Sequence, residues 1–194
     1  MTDQHLHRPD AQDFLRRARA RLPGEPPVLD AAMGRPAAVL MPLIPVAGVL
    51  HFLFTVRPAT MPSHAGEICF PGGRLKAGED ALTAALREAE EEVGISPEQV
   101  QPLGFGAPRK TASGHVIAPL LGLVEAHCCI RPCAREVAEV FTAPLSHFLD
   151  AANFVRERRR AGGQWREYWV ISWQGRCIWG ATAAMLHDLM ERLA

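Results

Sequence analysis

Residues 72 to 95 read Gly-Gly-Arg-Leu-Lys-Ala-Gly-Glu-Asp-Ala-Leu-Thr-Ala-Ala-Leu-Arg-Glu-Ala-Glu-Glu-Glu-Val-Gly-Ile. From Asp80 to Val93 there is no Gly or Pro, and Ala, Leu, Arg and Glu dominate, so this stretch predicts a helix. Gly94 and then Pro97 end it. Leu82, Leu86, Ala89 and Val93 recur at helical spacing and predict one buried stripe. At about 100° per residue, Glu88 and Glu92 lie close together off that stripe, and Glu91 flanks Glu88. Three carboxylates are thus expected on one exposed sector.

Such a face has two readings. One is a solvated acidic surface with Arg87 as counter-charge. Against it, like charges at i,i+4 oppose the helix, and the macrodipole disfavours anions in the C-terminal half. The other reading is a divalent-cation site. Carboxylate oxygens suit Mg²⁺ or Mn²⁺, which bind through a few carboxylates plus substrate phosphates. Before the helix, Phe70-Pro71-Gly72-Gly73 closes an apolar run. Adjacent glycines there predict a turn that lets a diphosphate or a metal come near.

The segment fits the pattern G-x5-E-x7-R-E-U-x-E-E-x-G-U, with U aliphatic, through Gly73, Glu79, Arg87, Glu88, Glu91, Glu92 and Gly94, with Ala89 and Ile95 at the aliphatic positions. At about 7% per fixed residue type, chance gives this roughly once in a hundred million windows. It resembles the Nudix hydrolases, which cleave a nucleoside diphosphate linked to another group. The resemblance implies an α+β fold with a mixed β-sheet sandwiched between α-helices. It implies that Glu88, Glu91 and Glu92 are metal ligands for Mg²⁺ or Mn²⁺. Arg87 and Glu79 would orient the loop and the carboxylates, and Gly72 and Gly73 would border the substrate. Glu88 or Glu91 would accept the proton of the attacking water, with Glu136 a further candidate or merely an exposed strand carboxylate.

Upstream, Leu53, Thr55, Arg57, Gly66, Phe70, Pro71, Gly72 and Gly73 match L-L-T-x-R-[SA]-x3-R-x3-G-x3-F-P-G-G. This is similar to the coenzyme A pyrophosphatase branch of the family. Phe54, Pro58 and Pro62 depart from that pattern, and Pro62 replaces an arginine able to pair with a phosphate. Thr111 to His115, Glu136 to Leu145 and Ile178 to Ala183 resemble three further segments of the branch. The resemblance implies hydrolysis of coenzyme A or its thioesters to 3′,5′-ADP and 4′-phosphopantetheine or its acyl form. Alternatives are a Nudix enzyme for ADP-ribose, a dinucleotide or a nucleoside triphosphate, and a non-catalytic nucleotide-binding module. Arg57 and Arg109 are the basic residues expected to meet substrate phosphates. The Arg156 to Arg160 cluster reads as a solvated helix or loop.

The chain has 194 residues, 48% hydrophobic and 22% charged, ordinary values for a globular domain. Residues 1–36 are expected to be an accessory segment, with a short helix over Asp10 to Arg21 packing loosely on a domain spanning 37–194. The 21 basic and 21 acidic residues cancel, which excludes a general nucleic-acid binder and leaves anionic substrates to local cations. Five cysteines at irregular spacing predict free thiols and a cytoplasmic setting. Neither a secretion signal nor a membrane-spanning run is expected. The partner expected is a small nucleotide resembling coenzyme A; a homodimer stays open.

Strands are predicted over Ala37 to Val46 and Val49 to Arg57, joined by an Ala47-Gly48 turn. Pro42 and Pro45 imply an edge position or a bulge for the first of them. Further strands are predicted at 103–107, 115–125 and 137–141, and a hairpin across Gln174-Gly175. A last helix follows, with Trp179, Ala183, Leu186, Met190 and Leu193 on one face.

Overall fold

A computed structural model describes residues 9–61, 63–161 and 164–194. Pro62 therefore lies outside the described residues. The elements run α1 (Pro9–Arg21), β1 (Arg35–Val46), β2 (Val49–Val56), β3 (Ile68–Cys69), β4 (Gly72–Arg74), α2 (Ala81–Val93), β5 (Val100–Phe105), β6 (Arg109–Lys110), β7 (His115–Val124), β8 (Glu139–Pro144), α3 (Leu145–Leu149), β9 (Val155–Ala161), β10 (Gln164–Trp173), β11 (Arg176–Trp179) and α4 (Gly180–Leu193).

The main sheet is mixed. Its path is β3-β2-β1-β7-β5, with β4 added to β1, β6 to β7 and β8 to β2. β1 and β7 run parallel, from Arg35 opposite His115 to Leu43 opposite Leu123. The remaining pairings in this sheet are antiparallel. β1 is central, which corrects the edge position expected from its prolines. Pro42 is tolerated because it falls between the segment registered on β4, 37–39, and the segment registered on β2, 43–46. A missing N–H there costs no ladder bond on that side. β9, β10 and β11 form a second, antiparallel sheet.

Alternation along β1 sends successive side chains to opposite faces. Ala38 and Leu40 join Leu53 beneath α2, whose Ala81, Ala84, Ala85, Ala89 and Val93 are buried there. Val39 and Met41 join Phe52, Phe54, Phe70 and Phe148 on the other face, with α1 and α4. The sheet is thus sandwiched between helices. Two expectations are corrected here. Leu82 and Leu86 are only half-buried, because small alanines let α2 sit close to the sheet. Residues 9–22 are not a loosely packed tail: Phe14 is fully buried, with Leu15, Ala18 and Leu22 beside it. The helix over 10–21 has its apolar residues at i, i+1 and i+4, a stripe that needs a partner, and α4 with β5 supplies it.

Candidate active site

α2 begins and ends on local signals. Asp80 caps it, its Oδ1 accepting from the Thr83 N–H at 2.7 Å. Gly94 ends it in the left-handed region at φ 73°. These boundaries set the direction of every glutamate on the helix.

Gly72 and Gly73 lie in a short strand against β1, not in the turn their composition suggests. Close approach, rather than unusual backbone angles, demands glycine there. A Cβ on Gly72 would stand 2.4 Å from the Ala38 carbonyl oxygen. A Cβ on Gly73 would stand 2.5 Å from Glu88 Cδ. The Glu88 carboxylate therefore lies directly over the glycine strand.

Arg87 organises the acidic residues. Its Nε and Nη2 donate to the two oxygens of Glu79 at 2.8 and 2.9 Å, a fork-on-fork pair. Its Nη1 donates to Glu88 Oε1 at 2.8 Å and to Glu91 Oε2 at 3.1 Å. Its Nη2 also donates to the Arg74 carbonyl at 3.2 Å, tying helix to strand. Glu79 accepts in addition from the Lys76 N–H at 2.8 Å. The Arg87 guanidinium, chiefly, holds the Glu79 carboxyl down at about 2.

Glu92 departs from the expected exposed sector. It is buried, at 3% exposure, and accepts one bond from the Gly72 N–H at 3.3 Å. Burial pushes its carboxyl up to about 8; the Gly72 bond and Arg57 act downward, while Glu88 and Glu136 add to the rise. Helical angle alone puts Glu92 beside Glu88, but packing against β4, where the Gly72 N–H donates to it, leaves it buried.

Among the described residues, no three His, Cys, Asp or Glu side chains stand close enough to hold an ion as they lie. Arg87 draws Glu88 and Glu91 to itself, and Glu92 turns to Gly72. The donor chemistry nevertheless fits a hard divalent cation. The oxygens are those of carboxyl groups, and Glu92 is a buried carboxyl with one weak hydrogen bond, whose ionised form a cation would compensate.

A cavity of about 1110 Å³ opens beside this strand. Arg57, Gly72, Gly73 and Arg74 line one part of it, and β10 and α4 line another. Arg57 is half-buried, and its Nε finds no hydrogen-bond partner. Arg109 also lines the cavity, but Asp188 of α4 pairs with its guanidinium. Glu136 is exposed in a turn ahead of β8, not on a strand. The Arg156 to Arg160 cluster, expected as helix or loop, is strand β9. Arg156 lines the cavity with Arg166, Tyr168 and Trp169 of β10. Sequence reasoning took residues 156–160 for solvated helix or loop and gave Arg166, Tyr168 and Trp169 no role in a site; the aromatics of β10 were the available signal.

A NUDIX domain family model matches residues 34–158. A Nudix hydrolase NudL of Photorhabdus laumondii is 38% identical over 183 residues, covering 93% of this chain and 96% of its own length. One from Yersinia pestis is 35% identical over 202 residues, covering all of this chain and 98% of its own. Among solved structures, a MutT protein from Methanosarcina mazei superposes with a TM-score of 0.52 at 16% identity, over 82% of this chain and 91% of that one. A C. elegans Ap4A hydrolase complex superposes with a TM-score of 0.50 at 23% identity, over 57% of this chain and 80% of that one. These two likenesses are of fold.

Proposed function

The chain belongs to the Nudix hydrolases, which act on diphosphate bonds, and from that premise we propose that its substrate is coenzyme A or a coenzyme A thioester. The products are 3′,5′-ADP and 4′-phosphopantetheine or its acyl form. One observation carries this reading. Arg57 belongs to the upstream signature L-x-T-x-R, and it lines the same cavity as Gly72 and Gly73 with an unpartnered Nε. A cation so placed suits a substrate phosphate.

Each residue has a role in this proposal. Glu88, Glu91 and Glu92 hold Mg²⁺ or Mn²⁺. When bound, the divalent ion supplies neutralisation of diphosphate charge and acidification of water. Arg87, anchored on Glu79, orients Glu88 and Glu91. Glu88 or Glu91 accepts the proton of the attacking water, and Glu136 is a more distant candidate. Gly72 and Gly73 admit the diphosphate to the strand. Arg57 binds a phosphate oxygen, and Arg109, already paired with Asp188, fixes the cavity wall.

Residues 37–194 form the hydrolase domain in this reading, with 1–36 as an N-terminal segment added to it. All five cysteines are free, which suits a cytoplasmic enzyme. Among the described residues, no helix is long and apolar enough to cross a membrane. Pro62 favours a second reading, in which another nucleoside diphosphate derivative such as ADP-ribose or a dinucleotide is preferred.

The test is a substrate panel. The protein is incubated with Mg²⁺ or Mn²⁺ and coenzyme A, ADP-ribose, NADH, Ap4A or 8-oxo-dGTP, and products are separated by chromatography. Dominant turnover of coenzyme A supports the proposal. Faster turnover of another member overturns it in favour of the second reading.

A further inference from the structure

The segment Ile178 to Ala183 takes no part in holding the metal or the diphosphate, yet the fold sets it close to the glycine strand. β11 ends at Trp179, and Gly180 turns the chain into α4 at φ 66°, in the left-handed region. A Cβ on Gly180 would meet nothing within 4 Å, so the requirement is for the backbone angle and not for space. In the first turn of α4, the buried Thr182 hydroxyl donates to the Ile68 carbonyl of β3 at 3.0 Å. From Ile68 the chain reaches Gly72 through Cys69, Phe70 and Pro71, a path of at most about 14 Å when extended. Trp179 is thereby fixed a short way from the strand that receives the diphosphate.

Strand register places a second ring beside it. Val170 of β10 stands opposite Trp179, and Tyr168 lies two positions before Val170, so Tyr168 and Trp179 share one face of the second sheet. Their rings meet edge to face, with centroids 5.5 Å apart and planes at 80°. The opposite face belongs to the core: Trp169 stacks there on His187 of α4, and Ile171 is fully buried. Tyr168 and Trp179 are half-buried and line the cavity that Gly72 and Gly73 also line, with Ile68 and Met185 adding apolar wall. At about 1110 Å³ that cavity has room for a whole nucleotide, well beyond a diphosphate.

We propose that Tyr168 and Trp179 form a nucleobase site, which holds the base of a nucleoside diphosphate derivative while its diphosphate lies on the glycine strand. A planar π-system gains from both the faces and the edges of these rings, whereas an aliphatic arm such as pantetheine gains only buried area. The base is therefore the part of the substrate that this wall selects. The inference rests on the reading of the substrate as a nucleotide, and its chemistry is tested without turnover.

The experiment measures binding of α,β-methylene-ADP, methylenediphosphonate and 4′-phosphopantetheine to the full chain with Mg²⁺, by calorimetry and by tryptophan fluorescence. The wild-type protein is expected to bind the nucleotide about tenfold or more tightly than methylenediphosphonate, as one stacked base provides, and to lose fluorescence on binding it. Trp179→Leu is expected to remove most of that preference, and Tyr168→Leu part of it. Trp179→Phe keeps a ring and is expected to keep much of the preference while losing most of the quenching, which identifies the responsible indole among the four tryptophans. Equal wild-type affinities for the nucleotide and methylenediphosphonate overturn the site, as does a preference that both leucine variants retain. Full quenching in Trp179→Phe overturns it too, as does a Trp179→Leu variant that loses 4′-phosphopantetheine and keeps the nucleotide. Circular dichroism melts separate loss of preference from loss of fold, and the phenylalanine variant decides the matter where a leucine variant does not fold. Failure of the coenzyme A reading shows up differently, as absent coenzyme A turnover with the nucleotide preference intact.

Discussion

Gly73 and Glu88 are in such close contact that a Cβ on the first would stand 2.5 Å from the carboxyl carbon of the second. The glycine strand and the acidic helix are therefore one unit. Gly73→Ala is expected to push Glu88 aside, because the obstacle is a flexible side-chain end. Activity falls by about a hundredfold while the melting temperature drops only slightly. Gly72→Ala meets the Ala38 carbonyl at 2.4 Å, which is backbone and cannot yield. It is expected to destabilise the fold itself. Paired melting and kinetic measurements on the two variants check this; similar profiles for both would refute it.

Glu92 carries a pH signature. Its folded value is raised to about 8 from 4.5. Without metal, the folded protein holds this proton more tightly than the unfolded chain does. The stabilisation is complete below about pH 4.5 and is lost as pH rises through about 8. Thermal melts in EDTA should show declining stability across that window, and Glu92→Gln should flatten the decline. The same variant should lose activity by on the order of a hundredfold. An unaltered pH slope, or wild-type turnover, speaks against the assignment.

Metal binding should also release protons. Glu92 is largely protonated at neutral pH by the same shift. A divalent ion requires the carboxylate. Calorimetric Mn²⁺ titrations in buffers of different ionisation enthalpy should show release of about one proton per ion near pH 7, and less at pH 9. Equal heats in all buffers would contradict it.

Arg87 and Glu79 act as a pair. Arg87→Lys keeps the charge and loses the fork at 2.8 and 2.9 Å. Glu79→Gln weakens the same pair from its other end. Each variant should lower kcat, and the double variant should lose less than the product of the two. A coupling on the order of 1–3 kcal/mol is expected from a double-mutant cycle. Independent effects would mean that the pair does not work as one device.

Phe14 tests the standing of the first helix. It is fully buried within the core beneath the sheet. Phe14→Ala should cost about 3–5 kcal/mol and lower the melting temperature by roughly 10 °C. A loosely attached segment would give almost no change.

α2 was readable before folding was known, because its cap, its stop and its helix-forming run are all local. Asp80, Gly94 and the spacing of Arg87, Glu88, Glu91 and Glu92 lie within one short window. Other expectations failed for non-local reasons. Pro42 reads as an edge residue until the offset between β4 and β2 along β1 is known. Gly72 and Gly73 read as a turn until β1 and Glu88 are brought against them. Residues 156–160 read as helix or loop until pairing with β10 makes them part of strand β9.

The order of residues along the chain dictated the acidic helix, the glycine pair before it and the kind of bond that is cleaved, since each is encoded in neighbours a few positions apart. Three-dimensional packing settled that Glu92 is buried, that the Arg57 Nε lacks a hydrogen-bond partner and where β9 lies. Those outcomes depend on the exclusion of water and on contacts such as Thr182 with the Ile68 carbonyl, made between residues more than a hundred positions apart. Local spacing carries no information about what a distant segment will cover.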